Sequence, residues 1–435
     1  MSDPPAWGFS AGPAAQAATA LLIAAIGLLT GRVDIALLSL PLTVAAALTR
    51  ARRRLPAGGD AIDLEIEATP DGRLTYRLAI TAPPGADAAI LQCRIAGGPV
   101  RTCAIACPVG APVTGTVSAR HSGPQEPIAV DCQFLWTGGL LGPLPAAPVS
   151  ARRAIAPARR PLGRLPLPRR LAGTVGGHDS IRPGSGGEFR DIHPYGPGER
   201  LRRIDWKASA RHGQNAGDLY VRRSHAEADA TVMIVIDSRD DVSERLAEWG
   251  SEGPAPEGIS SLDLAREAAA SLAEAYIGAG DRVGLRDLSS HRRMVGHSGG
   301  RQHLWRLLRT IELTAAVDTE GRRALTPTIP PGALVYLLST VLDDEMLPLA
   351  LTWAANGHRV ILIDTLPPAR EEGSRRSERI AHRIVMMERA DRLATLAAGG
   401  VQRLAWSEPD GLPLSARLAL LGRPPRRLAS AEVTR

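Results

Sequence analysis

The sequence predicts a multidomain chain: an N-terminal transmembrane helical hairpin, a small all-β sandwich, and a C-terminal α/β domain with a doubly wound sheet. Three observations carry this reading. Two charge-poor apolar runs lie side by side near the N-terminus, short segments of period-two alternation follow, and buried strands alternate with amphipathic helices through the second half. A length of 435 residues suits two or three domains of about 100 to 200 residues each. With 44% hydrophobic and 22% charged residues, wholesale disorder is excluded. Aromatics make up only 3%, so packing leans on Leu, Val, Ile and Ala.

The first element, residues 1–55, contains the runs 14–30 and 33–49, joined by Gly31-Arg32. Each is 17 residues, or about 26 Å of helix, at the lower limit for crossing a hydrocarbon core of about 30 Å. The N-terminus lacks the basic start of a signal peptide. Arg50, Arg52, Arg53 and Arg54 follow the second run. By the positive-inside rule they place both termini and the soluble domains in the cytoplasm, at the inner membrane, with lipid contacted through the hairpin.

Residues 60–142 read as the β-sandwich. Ile62, Leu64 and Ile66 alternate with acidic residues, Thr69-Pro70-Asp71-Gly72 is a turn, and Leu74, Tyr76, Leu78 and Ile80 alternate again. All four cysteines, Cys93, Cys103, Cys107 and Cys132, fall here. A reducing compartment argues against disulfides, and no Cys-x2-Cys pair supports a zinc ribbon, so plain core cysteines are expected. Residues 143–185, rich in Pro and Arg, read as an extended linker. The chain's formal charge of +7 is concentrated nearby: between Ala151 and Arg223 there are 16 basic and 6 acidic residues.

Residues 186–223 hold the densest pattern: Glu188, Phe189, Tyr195, Pro197, Gly198, Arg203, Ile204, Asp205, Trp206, Lys207, Ser209, Ala210 and Arg211. This stretch resembles the signature of the prokaryotic family "domain of unknown function fifty-eight", with His193 and Glu199 departing from the usual Arg and Asp. The resemblance implies membrane-anchored proteins whose signature precedes a von Willebrand factor A-like domain. It also implies association with MoxR-type AAA+ ATPases in envelope complex assembly. From the residues themselves the stretch is a packed salt-bridge and stacking network, a protein-docking surface, or a nucleic-acid site. Its interleaved acids Glu188, Asp191, Glu199 and Asp205 count against the last. A Trp set in so dense a charged motif is expected to be packed.

Residues 229–435 form the doubly wound domain, the von Willebrand factor A-like domain of the resemblance. Thr231–Ile236 is an apolar β-branched run that ends at Asp237, so Asp237 sits at the carboxyl end of the first strand, where such sheets bind ligands. The resemblance implies an Asp-x-Ser-x-Ser cation site there, but the residues read Asp237, Ser238, Arg239, Asp240, Asp241. Arg239 removes an oxygen ligand and adds a like charge, so the metal site is degenerate and no cofactor is expected. Gly296-His297-Ser298-Gly299-Gly300 matches Gly-x-Ser-x-Gly, with Asp343 and His358 as conceivable partners, yet no buried strand feeds it directly. The expectation is a non-enzymatic scaffold or adaptor that binds a protein partner through its A-like domain. The alternatives are a serine hydrolase centred on Ser298 and an Arg-rich nucleic-acid binder.

Overall fold

In the computed structural model the described residues are 11–51, 62–68, 73–83, 86–95, 100–119, 121–136, 140–141, 149–169, 171, 178–196, 201–212, 218–249, 258–289, 294–316, 327–407, 412 and 413–422. The chain divides into two units. Residues 1–120 and 125–153 form the first, and residues 121–124 and 154–435 form the second.

The first unit opens with three helices, α1 (Ala11–Leu29), α2 (Val33–Leu37) and α3 (Leu40–Ala51). They correct the expected transmembrane hairpin: among the described residues no helix is long and apolar enough to cross a membrane. The second apolar run does not form one span. Pro41 lacks a backbone N–H and fits only in a first helical turn, so the helix restarts at Leu40. The resulting pieces have 5 and 12 residues, too short for a bilayer core. In α1 the consecutive large apolar residues begin only at Leu21. The two runs do touch, because a Cβ on Gly27 would lie 2.4 Å from the Ala36 nitrogen.

Two antiparallel sheets follow. β1 (Ile62–Ala68), β2 (Arg73–Ile80) and β5 (Val113–Ser118) make one, in the order β1-β2-β5. The other joins β3 (Ala86–Ile95), β4 (Arg101–Ala106), β7 (Ile128–Trp136) and β8 (Leu140–Leu141) in the order β4-β3-β7-β8, with β9 (Val149–Ser150) also on β7. Short strands β6 (Gly123–Gln125) and β10 (Arg153–Ile155) form a separate two-stranded sheet, most of whose residues belong to the second unit. Alternation decides the buried faces: Leu74, Leu78 and Ile80 in β2, and Ile128, Val130, Cys132 and Phe134 in β7, are buried.

The expected linker is ordered over much of its length, and its residues from Ala154 onward belong to the second unit. Leu162 and Leu165 pack on that unit's core, the Pro166 carbonyl accepts from the Tyr276 hydroxyl at 2.6 Å, and the Leu167 carbonyl accepts from Arg359 at 2.7 Å. The signature segment then pairs β11 (His178–Pro194) with β12 (Tyr220–Ala228), flanking a short helix α4 (Trp206–His212).

The remaining strands are β13 (Thr231–Ile236), β14 (Arg282–Asp287), β15 (Met294–Ser298), β16 (Leu334–Ser339), β17 (Arg359–Asp364) and β18 (Gln402–Ala405). They form one sheet in the order β15-β14-β13-β16-β17-β18, parallel except for the antiparallel edge strand β15. Both faces are covered, which is why the central strands are apolar at nearly every position. On one face α5 (Ser261–Gly278), α6 (Arg301–Glu312) and α9 (Leu414–Leu421) pack against Val232, Ile234 and Ile236. On the other, α7 (Met346–Ala355) and α8 (Arg376–Ala398) pack against Val235, Val335 and Leu337. A Ser260–Asp263 capping box starts α5 immediately before its apolar face.

Candidate functional site

The parallel strands β14, β13, β16 and β17 finish with Asp287, Ile236 followed by Asp237, Ser339 and Asp364. Polar side chains therefore line the carboxyl edge of the sheet, the end at which doubly wound sheets take ligands. Each is held from below. Asp287 accepts from the hydroxyls of Ser238 at 2.5 Å and Ser289 at 3.0 Å. Ser339 donates its hydroxyl to Asp237 Oδ2 at 2.8 Å. Asp364 accepts from Arg403 Nη2 at 2.6 Å and also pairs with the buried Arg389, whose Nε donates to the Thr340 carbonyl at 2.7 Å.

At the centre lies Arg239. Its Nε donates to Asp237 Oδ1 at 2.9 Å and its Nη2 to Asp237 Oδ2 at 3.1 Å, a bidentate pair. The same guanidinium reaches Asp343 Oδ1 at 3.1 Å and Glu345 Oε2 at 2.7 Å. Burial alone would lower the Arg239 pKa, but hydrogen bonds and charge from Asp237, then Asp343, hold it above the ordinary value. Asp240 on the same loop is pushed upward, by burial first and then by the charges of Asp237 and Asp343. Val341, two residues before Asp343, holds φ at 56°, a left-handed conformation that a β-branched residue rarely adopts. The turn that presents Asp343 and Glu345 to Arg239 is thus under backbone strain.

A cation does not fit this set. The guanidinium takes up the oxygens of Asp237, Asp343 and Glu345, and a divalent ion among them would meet a fixed positive charge. Asp241, the other residue of the degenerate motif, is elsewhere: its Oδ1 accepts from Leu262 N at 3.2 Å at the start of α5. Among the described residues no group of three or more His, Cys, Asp or Glu is arranged to hold a metal. Sequence reasoning found Asp237 and Arg239 but missed Glu345 and the role of Asp343. The signal was there, in the acidic run Asp343-Asp344-Glu345 that follows a buried strand.

The signature residues assemble a separate small structure. Asp205 caps α4, accepting from Ala208 N at 2.9 Å, while its own N–H donates to the Tyr220 carbonyl at 2.8 Å. Ser209 Oγ receives the Tyr220 N–H at 2.8 Å, and Ile204, Ala208 and Val221 bury against this frame. Trp206 corrects the expectation of a packed aromatic: it is 68% exposed, because Ala208 is the residue of this two-turn helix that turns inward. Lys207 and Arg211 are exposed on the same helix, Tyr195 is exposed nearby in sequence, and Arg203 is half-buried. Glu188 and Phe189 lie within β11, but their side chains, and Gly198 with Glu199, lie outside the described residues.

Ser298 is exposed at the end of β15, paired with Val283 at the amino end of β14. Asp343 follows the carboxyl end of β16, the opposite edge of the sheet. His358 is buried before β17, with Nδ1 3.2 Å from the Ala333 carbonyl. Four strand spacings separate β15 from β17, about 19 Å, so the three residues do not form a triad. The four cysteines are free, and Cys93, Cys103 and Cys132 share a sheet face by register with Leu91 and Val130. Burial raises the Cys132 thiol to about 12.

Residues 191–372 match the model of a family described as Protein of unknown function DUF58. The match supports the DUF58 family. No curated protein matches the chain. The DUF58 segment takes in the α4 frame with Tyr195 and Trp206, and the whole Arg239 cluster with Asp343 and Glu345. It leaves out Glu188 and Phe189 before it, and Arg389, Arg403 and all of α8 after it.

Proposed function

We propose that the chain is a non-enzymatic adaptor that binds a protein partner through its doubly wound, von Willebrand factor A-like domain. The observation that carries this is the Arg239 guanidinium held by Asp237, Asp343 and Glu345 at the carboxyl edge of the sheet. Groups that would otherwise bind an ion or exchange a proton neutralise one another. What remains is a pre-organised polar surface, suited to recognition rather than to bond-making. The exposed Trp206, with Lys207 and Arg211 beside it on α4, adds an anchor of the kind that dominates protein interfaces.

The partner in this proposal is a MoxR-type AAA+ ATPase, and the setting is envelope complex assembly at the cytoplasmic face of the inner membrane. Support comes from the signature resemblance, from the exposed leucines Leu21, Leu22, Leu28 and Leu29 of α1, and from the arginine cluster after α3. The serine hydrolase alternative loses support from the separation of Ser298, Asp343 and His358. A nucleic-acid role centred on the linker arginines is weakened because Arg159 and Arg160 of that linker pair with Glu274 and Glu267.

Affinity purification of the full-length chain from native cells tests the proposal. An ATPase of the MoxR type should co-purify, and Trp206→Ala should reduce its recovery several-fold while the chain stays folded. Absence of such an ATPase, or recovery unaffected by substitutions at both Trp206 and Glu345, would contradict it.

A further inference from the structure

Helix α6 is fixed on the sheet by one face. His303, Leu307 and Ile311 are buried there, and His303 Nε2 lies 2.7 Å from the Val283 carbonyl. At about 100° per residue Trp305 falls nearly opposite Leu307, and it is 71% exposed. Arg301 and Arg306, both exposed, fall on opposite flanks of the helix, about 120° and 100° from Leu307. Arg309, one turn beyond Trp305, is exposed as well and donates to Glu312 at 2.9 Å. Glu312 is the only acid of α6, so this pair neutralises itself. Among the described residues no carboxylate pairs with Arg301 or Arg306. The outward face is a single indole framed by guanidiniums.

We infer that this face docks an acidic segment of a partner protein, with its carboxylates on Arg301 and Arg306 and an apolar side chain on Trp305. Charge and side-chain chemistry select that occupant. A guanidinium presents a planar fork that matches a carboxylate, and Trp and Arg are the residues that dominate binding energy where proteins meet. An anionic lipid surface takes a helix by a broad apolar face. In α6 that face is turned to the sheet, and Trp305 is its one exposed large apolar side chain. A nucleic-acid strand is held in a groove with successive aromatics to stack on, whereas α6 is convex and offers one ring. The surface also differs in kind from the Arg239 cluster. There the guanidinium is satisfied by carboxylates of its own chain, while Arg301 and Arg306 are left for the carboxylates of another.

The test is calorimetric titration of the full-length chain, in physiological salt, with a short synthetic glutamate peptide carrying one central phenylalanine. Binding is expected, and Trp305→Ala and Arg301→Glu should each weaken it by about tenfold or more. Because both side chains are exposed, neither substitution should move the melting temperature. Arg376→Glu, an equal charge change at an exposed position on α8, should alter the affinity by less than about twofold, since salt screens distant charges. No binding of the peptide, or an equal loss with Arg376→Glu, would overturn the inference. So would tighter binding, through Trp305 and Arg301, of a single-stranded oligonucleotide or of phosphatidylglycerol vesicles.

Discussion

The Arg239 guanidinium grips the Asp237 carboxylate with two nitrogens, at 2.9 and 3.1 Å, at the point where the first parallel strand of the sheet ends. Arg239 is only 11% exposed and Asp237 6%, so the pair is largely withdrawn from water. Removing one member of such a pair leaves the other charge uncompensated. Arg239→Ala should therefore destabilise the chain by about 3 kcal/mol in urea unfolding, because Asp237 and Asp343 then face each other without a cation. A loss below about 0.5 kcal/mol would show that solvent already screens the cluster. Since the guanidinium's pKa is raised above that of a free arginine, its contribution is fully present at and below neutral pH and the guanidinium should show no titration between pH 5 and 9.

Trp206→Ala should leave the melting temperature nearly unchanged. Exposed side chains away from special features contribute within about 0.5 kcal/mol, whereas a packed Trp would cost about 3 to 5 kcal/mol. The sequence could not tell these apart, because the charged motif around Trp206 is compatible with either face of a short helix. What decides it is the seven-residue length of α4, which gives only Ala208 an inward position.

Asp263 links the start of α5 to the segment His121–Ser122: its Oδ2 lies 2.6 Å from His121 Nδ1 and its Oδ1 accepts from Ser122 N at 2.8 Å. Burial alone would raise its carboxyl, yet His121, Ser122 and Arg266 together lower it below the ordinary 3.8. A depressed folded-state pKa means stability that is present above the unfolded value and lost as pH falls through the folded one. Asp263→Asn should cost about 1 to 2 kcal/mol at pH 7, and the gap to the unsubstituted chain should shrink below pH 4. A gap independent of pH would refute the linkage.

Alkylation should discriminate among the cysteines. Cys103 is exposed on edge strand β4, whereas Cys132 is buried on β7 with its thiol raised from 9.0 to about 12. At pH 8 the thiolate fraction at Cys132 should be about a thousandfold below that of an ordinary thiol. Mass spectrometry after a brief iodoacetamide pulse should find Cys103 modified and Cys132 intact. Early labelling of Cys132 would contradict its placement.

The doubly wound sheet was legible because its strands are apolar at consecutive positions and its helices periodic, patterns that survive in any register. The hairpin was not, because hydropathy sees composition but not the break that Pro41 imposes two residues after Ser39. Within the site, Asp237 and Arg239 could be read from local spacing. Asp343 and Glu345 come from a different strand, about a hundred residues later, and only the pairing of β13 with β16 brings them to Arg239.

The measurement that tests the central claim most directly is thermal melting of the full-length chain in millimolar Mg2+ or Mn2+, with and without chelator. If Arg239 stands where a cation would, the unmodified chain should melt at the same temperature in every condition. Arg239→Ser, which frees the oxygens of Asp237, Asp343 and Glu345, should gain a metal-dependent rise, since a ligand bound only to the native state at a hundredfold excess over its Kd adds about 2.7 kcal/mol. A clear metal-dependent shift in the unmodified chain would contradict the account and make Asp237 a cation ligand.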